Sequence, residues 1–315
     1  MVKCLICEKE FKNDRGLHAH LKAHKLSVKD YYYEKFPRKD LCTNEFIKFK
    51  NKDQYLEADF NNKINMRKWL KDQPDDIAKT YSKKILIKRQ EKKKLKFLPS
   101  QIELRTIVAP PIQYYNKLFN DYYSLAEELG FDNKFKFLPK EKIIRDSKFK
   151  YDEYSILVDT REQKPLDFNF FIEVATLPFG DYAFSSSELS CNCYIERKSL
   201  NDFIGTLSGG YDRFKNEIEK ALMEDCYLVV VVERNLNDCK SFNYLSEIKR
   251  KMSTLKVTPE HIFYNVRELM QTYKKLQFLF VEDRKESSRV IEKIFTSGCI
   301  FKDIDLQYAY DSKLL

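Results

Sequence analysis

Asp181 follows Gly180, and fifteen residues further on stand Glu196, Arg197 and Lys198, with Asp202 four beyond. An acid, an acid-x-Lys and a further acid within this span have the makings of metal-dependent phosphodiester hydrolysis. A Mg²⁺-type ion takes carboxylate oxygens and keeps waters and substrate oxygens as its other ligands. A lysine beside it can orient or deprotonate the attacking water and offset charge building on phosphorus. Spacing supports the grouping. Cys193–Lys198 reads as a strand, so Glu196 and Lys198, two apart, project from one face. Asp181 lies at a glycine turn that leads into a short strand, from which a second carboxylate reaches the same ion. Asp181 and Glu196 are therefore the candidate Mg²⁺ or Mn²⁺ ligands, and Lys198 the residue acting on water. Asp159 closes a neighbouring strand and is expected to complete the acidic cluster. Arg161 and Arg197 have the planar fork that grips phosphate oxygens in pairs.

Gly-Asp-x14-Glu-Arg-Lys-x3-Asp resembles the signature of the XPF-type nuclease domain, a branch of the PD-(D/E)XK fold. Ile156–Glu162, ending Asp-x-Arg-Glu, is similar to that family's first strand, and Gly210–Phe214 to its glycine-arginine helix start. The likeness covers roughly residues 150–310. It implies a restriction-endonuclease-like mixed sheet flanked by helices, and a DNA endonuclease. It also places Asp202 in the active centre, where the residues alone equally allow a helix cap, and makes Glu162 and Arg213 supporting groups. The family commonly carries helix-hairpin-helix modules and pairs as a homodimer on branched DNA. No glycine-rich hairpin pattern precedes Leu315, so other segments are the candidates for gripping DNA.

One such segment opens the chain. Cys4-x2-Cys7-x12-His20-x3-His24 has Cys2His2 zinc-finger spacing, with Phe11 and Leu17 as its minimal core. The two histidines lie one helical turn apart and reach one Zn²⁺. His18 falls between pattern positions and is expected at the surface or facing DNA. Three of the four histidines sit in this segment, which disfavours a His-centred nuclease and leaves carboxylate chemistry.

The chain has 315 residues, 43% of them apolar, and a formal net charge of +9. That excess favours a polyanionic partner. Frequent Lys, Asn, Tyr, Phe and Ile match an AT-rich source such as a phage or mobile element. No signal peptide or membrane span is expected, since Tyr227–Val232 is the longest apolar run. The eight cysteines then take an intracellular reading, bacterial cytoplasm or nucleus, with six as reduced thiols.

Three parts are expected: a ββα zinc finger at 1–26, a helical basic middle region at 27–149, and the nuclease domain at 150–315. In the middle region, Leu26–Phe36 reads as a helix capped by Ser27, its tyrosines a docking face or, as the alternative, a stack for bases. Lys83–Lys96 holds eight basic residues and one acid, either a cationic rod for phosphates or a solvated linker. Pro99, Pro110 and Pro111 flank an extended hinge, and Tyr114–Leu129 reads as one amphipathic helix. In the last part, strands are expected at 155–159, 171–176, 182–184, 194–198, 227–233 and 277–281, with 156–158, 228–232 and 278–281 interior. Helices are expected at 200–206, 213–223, 243–255, 260–274 and 285–296. The leading reading is a divalent-metal-dependent DNA endonuclease targeted by its finger and basic region. The alternative is a non-catalytic DNA-binding protein that keeps the fold. A third reading puts RNA or a protein inhibitor in place of DNA.

Overall fold

The structure is a computed structural model. It describes residues 1–38, 46, 63–135, 154–186, 192–246, 248, 257–297 and 300–315. Cys42, Cys191, Cys299 and most of the helix expected at 243–255 lie outside the described residues. The chain forms two compact units. The first is Met1–Lys88 with 108–110 and 117–119; the second is Arg89–Ile107, 111–116 and Asn120–Leu315.

The first unit opens with a two-stranded antiparallel hairpin, β1 (Val2–Lys3) and β2 (Glu10–Phe11), followed by helix α1 (Asp14–His20). A 3-10 turn, Leu21–His24, continues α1. Helix α2 (Val28–Lys35) starts where Ser27 accepts the Asp30 N–H. α2 belongs to this small fold. Tyr31 is buried with Cys4, Leu17 and Leu21, and its hydroxyl accepts the Leu5 N–H at 3.0 Å. His18 sits 3.0 Å from the Tyr32 hydroxyl. It is half-buried against α2 rather than displayed at the surface. Helices α3 (Lys63–Lys71) and α4 (Asp75–Lys93) follow. α4 carries most of the basic segment, but as an amphipathic helix: Ala78, Tyr81, Ile85 and Leu86 are buried, while Lys79, Lys88 and Lys93 are exposed.

The second unit is built on a six-stranded mixed sheet. Its strands are β3 (Tyr154–Asp159), β4 (Phe171–Ala175), β5 (Tyr182–Ser186), β6 (Cys193–Lys198), β7 (Tyr227–Val232) and β8 (Leu276–Phe280), in the order β4-β3-β5-β6-β7-β8. β5 runs antiparallel to both neighbours; the other pairs are parallel. Strand periodicity separates two cores. Ile156, Ile195, Val229 and Val231 pack with Val290, Ile291 and Ile294 of α12 (Arg284–Thr296). Leu228, Val230, Val232 and Phe280 pack with α8 (Leu200–Thr206), α9 (Tyr211–Met223) and α11 (Pro259–Thr272) through Phe203, Phe214 and Ile262. Here α10 denotes the short turn Leu236–Cys239. This is the expected mixed sheet with helices on both faces.

Particular elements differ from the sequence reading. β8 ends the sheet, yet every residue of it is buried, because α11 and α13 (Leu306–Asp311) cover it. The proline-flanked stretch is not extended. It holds α5 (Gln101–Thr106), started by a reciprocal Ser100–Glu103 capping box. The single helix expected at 114–129 is two, α6 (Ile112–Phe119) and α7 (Leu125–Glu128), split at Asn120 where φ is +64°. Apart from 108–110 and 117–119, these segments belong to the second unit. Asp305 accepts the Gln101 N–H at 2.7 Å and the Tyr123 hydroxyl at 2.8 Å. Buried Lys134 donates to the carbonyls of Met270, Tyr273 and Leu276 at 3.0, 3.2 and 2.7 Å. No helix among the described residues is long and apolar enough to cross a membrane.

Candidate active site and Cys/His centre

The turn before β5 depends on Gly180. Its φ is +63°, and a Cβ there would lie 2.6 Å from the Ile195 carbonyl oxygen. Glycine alone allows this approach. It brings the Asp181 N–H within 2.7 Å of that oxygen, which locks Asp181 against β6. The Arg197 N–H then donates to Asp181 Oδ2 at 2.7 Å.

On β6 the period of two acts as expected. Glu196 and Lys198 share a face, and Lys198 Nζ donates to Glu196 Oε1 at 2.7 Å. The lysine stem is buried, and its ammonium stands 5.2 Å above the Phe214 ring. Asp181, Glu196 and Lys198 line one cleft of about 530 Å³ together with Arg161, Glu162, Gln163, Lys164, Arg197, Asn201, Asp202, Gly205, Thr206 and Arg213. Burial, and next the charge on Glu196, push the Asp181 carboxyl up to about 7. Two carboxylates are thus held together against their mutual repulsion, with one lysine to offset them.

The remaining expected residues divide. Asp202 is exposed in the cleft, and its carboxylate accepts the Ser199 hydroxyl at 2.6 Å while Ser199 accepts the Asp202 N–H. It therefore serves the start of α8 and also faces the cleft. Arg161 and Arg213 are exposed, with side chains 69% and 80% accessible. Arg213 stands 3.7 Å from Glu217 one turn on.

Asp159 does not line the cleft. It is buried and accepts from the Arg161 N–H, from Arg161 Nε and Nη2, and from the Leu177 N–H, at 2.8, 2.6, 3.1 and 2.7 Å. The Arg161 side chain beside it holds its carboxyl below the usual range. The structure gives it the work of tying β3 to the loop that carries Arg161. Arg197 is likewise committed. Its guanidinium bonds Glu162 at 2.9 Å and Glu233 at 3.0 Å, and its side chain is only 14% exposed.

Glu233 and Arg284 are functional candidates that the motifs did not point to. Glu233 also bonds Arg284 at 3.2 Å, and Arg284 donates to the Lys164 and Pro165 carbonyls. A chain Glu162–Arg197–Glu233–Arg284 thereby fixes the loop 161–165 and the β6 backbone that holds Asp181. The one sequence signal was the acid that ends the apolar run of β7.

In the first unit, Cys4, Cys7, His20 and His24 place ligand atoms within 4.8 Å of one another. Among the described residues no other group of three or more such ligands is gathered. Cys4 Sγ lies 3.6 Å from His24 Nε2, and Cys7 Sγ 3.1 Å from His20 Nε2. Burial pushes the Cys4 thiol up, but the N–H groups of Cys7 and Ile6 outweigh it and leave it lowered. Two sulfurs and two imidazole nitrogens at this separation could hold one metal ion, and the donor set suits Zn²⁺.

Residues 158–294 match the ERCC4 domain. The matched ERCC4 stretch runs from the end of β3 through α12 and contains every cleft residue named above. No curated protein matches the chain. Among solved structures, XPF from Aeropyrum pernix is similar at 20% identity and a TM-score of 0.32, over 44% of this chain and 64% of that one. XPF from Aeropyrum pernix in complex with DNA is similar at 21% identity and 0.32, over 44% and 62%. The chain spans less than two thirds of the length of these structures.

Proposed function

We propose that the protein is a divalent-metal-dependent DNA endonuclease whose ERCC4-type cleft hydrolyses phosphodiester bonds. The observation that carries this is the pair Asp181, in the turn before β5, and Glu196, on the neighbouring β6, held together beside Lys198. The donor set fits a hard cation: Asp181 Oδ1 and Glu196 Oε2 have no hydrogen-bond donor among the described residues, and carboxylate oxygens suit Mg²⁺ or Mn²⁺. When bound there, the ion would polarise a phosphoryl oxygen and acidify a water. Asp181 and Glu196 would hold it. Lys198 orients the attacking water and offsets negative charge on the phosphorus centre. Arg161 and Arg213, exposed at the rim with Lys164, bind the flanking phosphates. Asp202 adds a cleft carboxylate, while Asp159, Arg197 and Glu162 keep the frame in register.

The Cys/His centre holds one Zn²⁺ and folds a finger extended by α2. The finger and the exposed lysines of α4 supply phosphate contacts. The protein thus divides into a DNA-gripping N-terminal region at 1–149 and a cleaving region at 150–315 in the motif sense, although Arg89–Ile107, 111–116 and the chain from Asn120 belong to the second compact unit. Non-catalytic binding is the weaker reading, since it has no use for two carboxylates held together beside a single lysine.

Cleavage of linear, flapped, forked and single-stranded DNAs, with and without Mg²⁺ or Mn²⁺, tests the proposal. Cutting should need the cation. Asp181→Asn, Glu196→Gln and Lys198→Ala should each lower the rate by about 10²-fold or more without loss of DNA binding. Wild-type rates in these variants would refute the assigned site.

A further inference from the structure

The outward face of the finger helix has a size pattern and a charge pattern that bear on what it can read. A ββα finger turns helix positions −1, 3 and 6 toward successive bases in the major groove. Asn13 caps α1, so these positions are Asn13, Gly16 and Ala19. Gly16 has no side chain, and Ala19 has one methyl. Neither offers the donors and acceptors by which base pairs are told apart. The Asn13 carboxamide oxygen already accepts the Gly16 N–H at 3.1 Å. The groove-facing line of the helix is therefore almost blank.

Cations surround that line. Arg15 and Lys22 stand one turn before and one turn after Ala19, along the flank of that line, and both are exposed, as is Lys12. Among the described residues, Lys12, Arg15 and Lys22 form no ion pair. The opposite side is closed to a large partner, because Leu17 and Leu21 pack on Tyr31 and His18 meets Tyr32. One face remains, with a small-residue centre and a cationic rim.

We infer that this finger is a sequence-blind clamp for duplex DNA, held by phosphates through Lys12, Arg15 and Lys22 and reading no base. The inference rests on the zinc-finger reading above. Phosphate contacts fix position and orientation but carry no sequence information directly. The charge of the rim complements a phosphate backbone, and the missing side chains let the helix approach it. Such a clamp adds salt-sensitive affinity at any duplex and leaves the choice of cut site to the cleft.

The test uses the full-length protein carrying Asp181→Asn, so that bound DNA stays intact, with zinc content measured on every sample. Its probe is a pool of randomised duplexes, followed by individual duplexes of differing sequence. One zinc per chain is expected. The bound pool should keep the base composition of the input, and individual affinities should agree within about twofold. Changing Lys12, Arg15 and Lys22 together to alanine should weaken all duplexes alike and lower the slope of log affinity against log salt by about three. Arginine at Lys12 and lysine at Arg15, by contrast, should restore binding. An enriched triplet that disappears in Asn13→Ala or Arg15→Ala would overturn the inference in favour of base reading. An unchanged slope in the zinc-loaded triple variant would overturn it in favour of a protein partner. A zinc-free wild-type chain would remove the finger reading itself, an outcome separable from the other two by the metal measurement.

Discussion

Asp181 is where folding and chemistry oppose each other most directly. In the ion-free protein, burial and the Glu196 charge raise its carboxyl to about 7, so the fold keeps a proton that the unfolded chain releases near pH 4. The resulting stabilisation is fully present below about pH 4 and is lost as pH rises through about 7. A bound cation offsets both the burial of the charge and the repulsion from Glu196. Mg²⁺ or Mn²⁺ should therefore raise the melting temperature at pH 8 and leave it nearly unchanged at pH 5, and Asp181→Asn should flatten the difference. Equal shifts at both pH values would place the ion elsewhere. Gly180 governs the same carboxylate through the backbone. Gly180→Ala forces a side chain into a positive φ and against the Ile195 carbonyl, and it should cost about 2–4 kcal/mol in chemical denaturation. At this scale the sequence was readable wherever the relation was local. The two-residue spacing put Glu196 and Lys198 together, and the Gly-Asp turn announced Asp181. Glu233 and Arg284 were hidden because a link between the end of β7 and the start of α12 leaves no local pattern. The same network explains why Arg197, which looked like a phosphate ligand, is instead enclosed between two carboxylates.

Elements were legible in proportion to how strongly their own residues specify them. Ser27, Ser199 and Asp283 cap α2, α8 and α12, and the apolar runs of β3 and β7 form buried strands. The helix α5 was obscured because Pro99, Pro110 and Pro111 signal a break, while the Ser100–Glu103 capping box between them signals a start. The tyrosines of α2 read as a docking face, but the surface they dock on was hidden, since it depends on the tertiary contact of Tyr31 with Leu5. That joint shapes what metal removal does. Stripping zinc, or Cys7→Ser, should unfold both the finger and α2, because Tyr31 then loses Cys4 and Leu17 as neighbours. Circular dichroism and metal analysis on the variant test this; retained zinc with unchanged helicity would exclude the site. In the second unit, Lys134 closes the end of α11 with three bonds from one ammonium. Burial depresses it to about 8, still charged at neutral pH. Lys134→Met should cost about 2–4 kcal/mol in denaturant unfolding by leaving three carbonyls without a donor.

The whole molecule sets how far its parts can be separated. The motif resemblance begins near residue 150, which invites a cut there. Physical chemistry argues against it. Residues 96–135 supply buried Phe97, Leu98, Leu104, Tyr122 and Phe135, the donors to Asp305, and the ammonium on the end of α11. Without them, Asp305 loses Gln101 and Tyr123 as donors, and the covered side of β8 loses part of its support. A fragment of residues 150–315 should therefore aggregate, or melt at least about 10 °C below the full chain. A fragment of residues 63–315 keeps every described residue of the sheet's two cores. It should fold, unfold cooperatively and keep metal-dependent cleavage, while its DNA affinity becomes weaker and less sensitive to salt as the finger's cations are lost. Thermal unfolding of both fragments, with cleavage and salt titrations of the longer one, decides the matter. A stable, active 150–315 fragment would mean that residues 96–135 are an accessory layer rather than part of the nuclease core. A 63–315 fragment with the affinity and salt slope of the full chain would mean that the finger does not hold DNA.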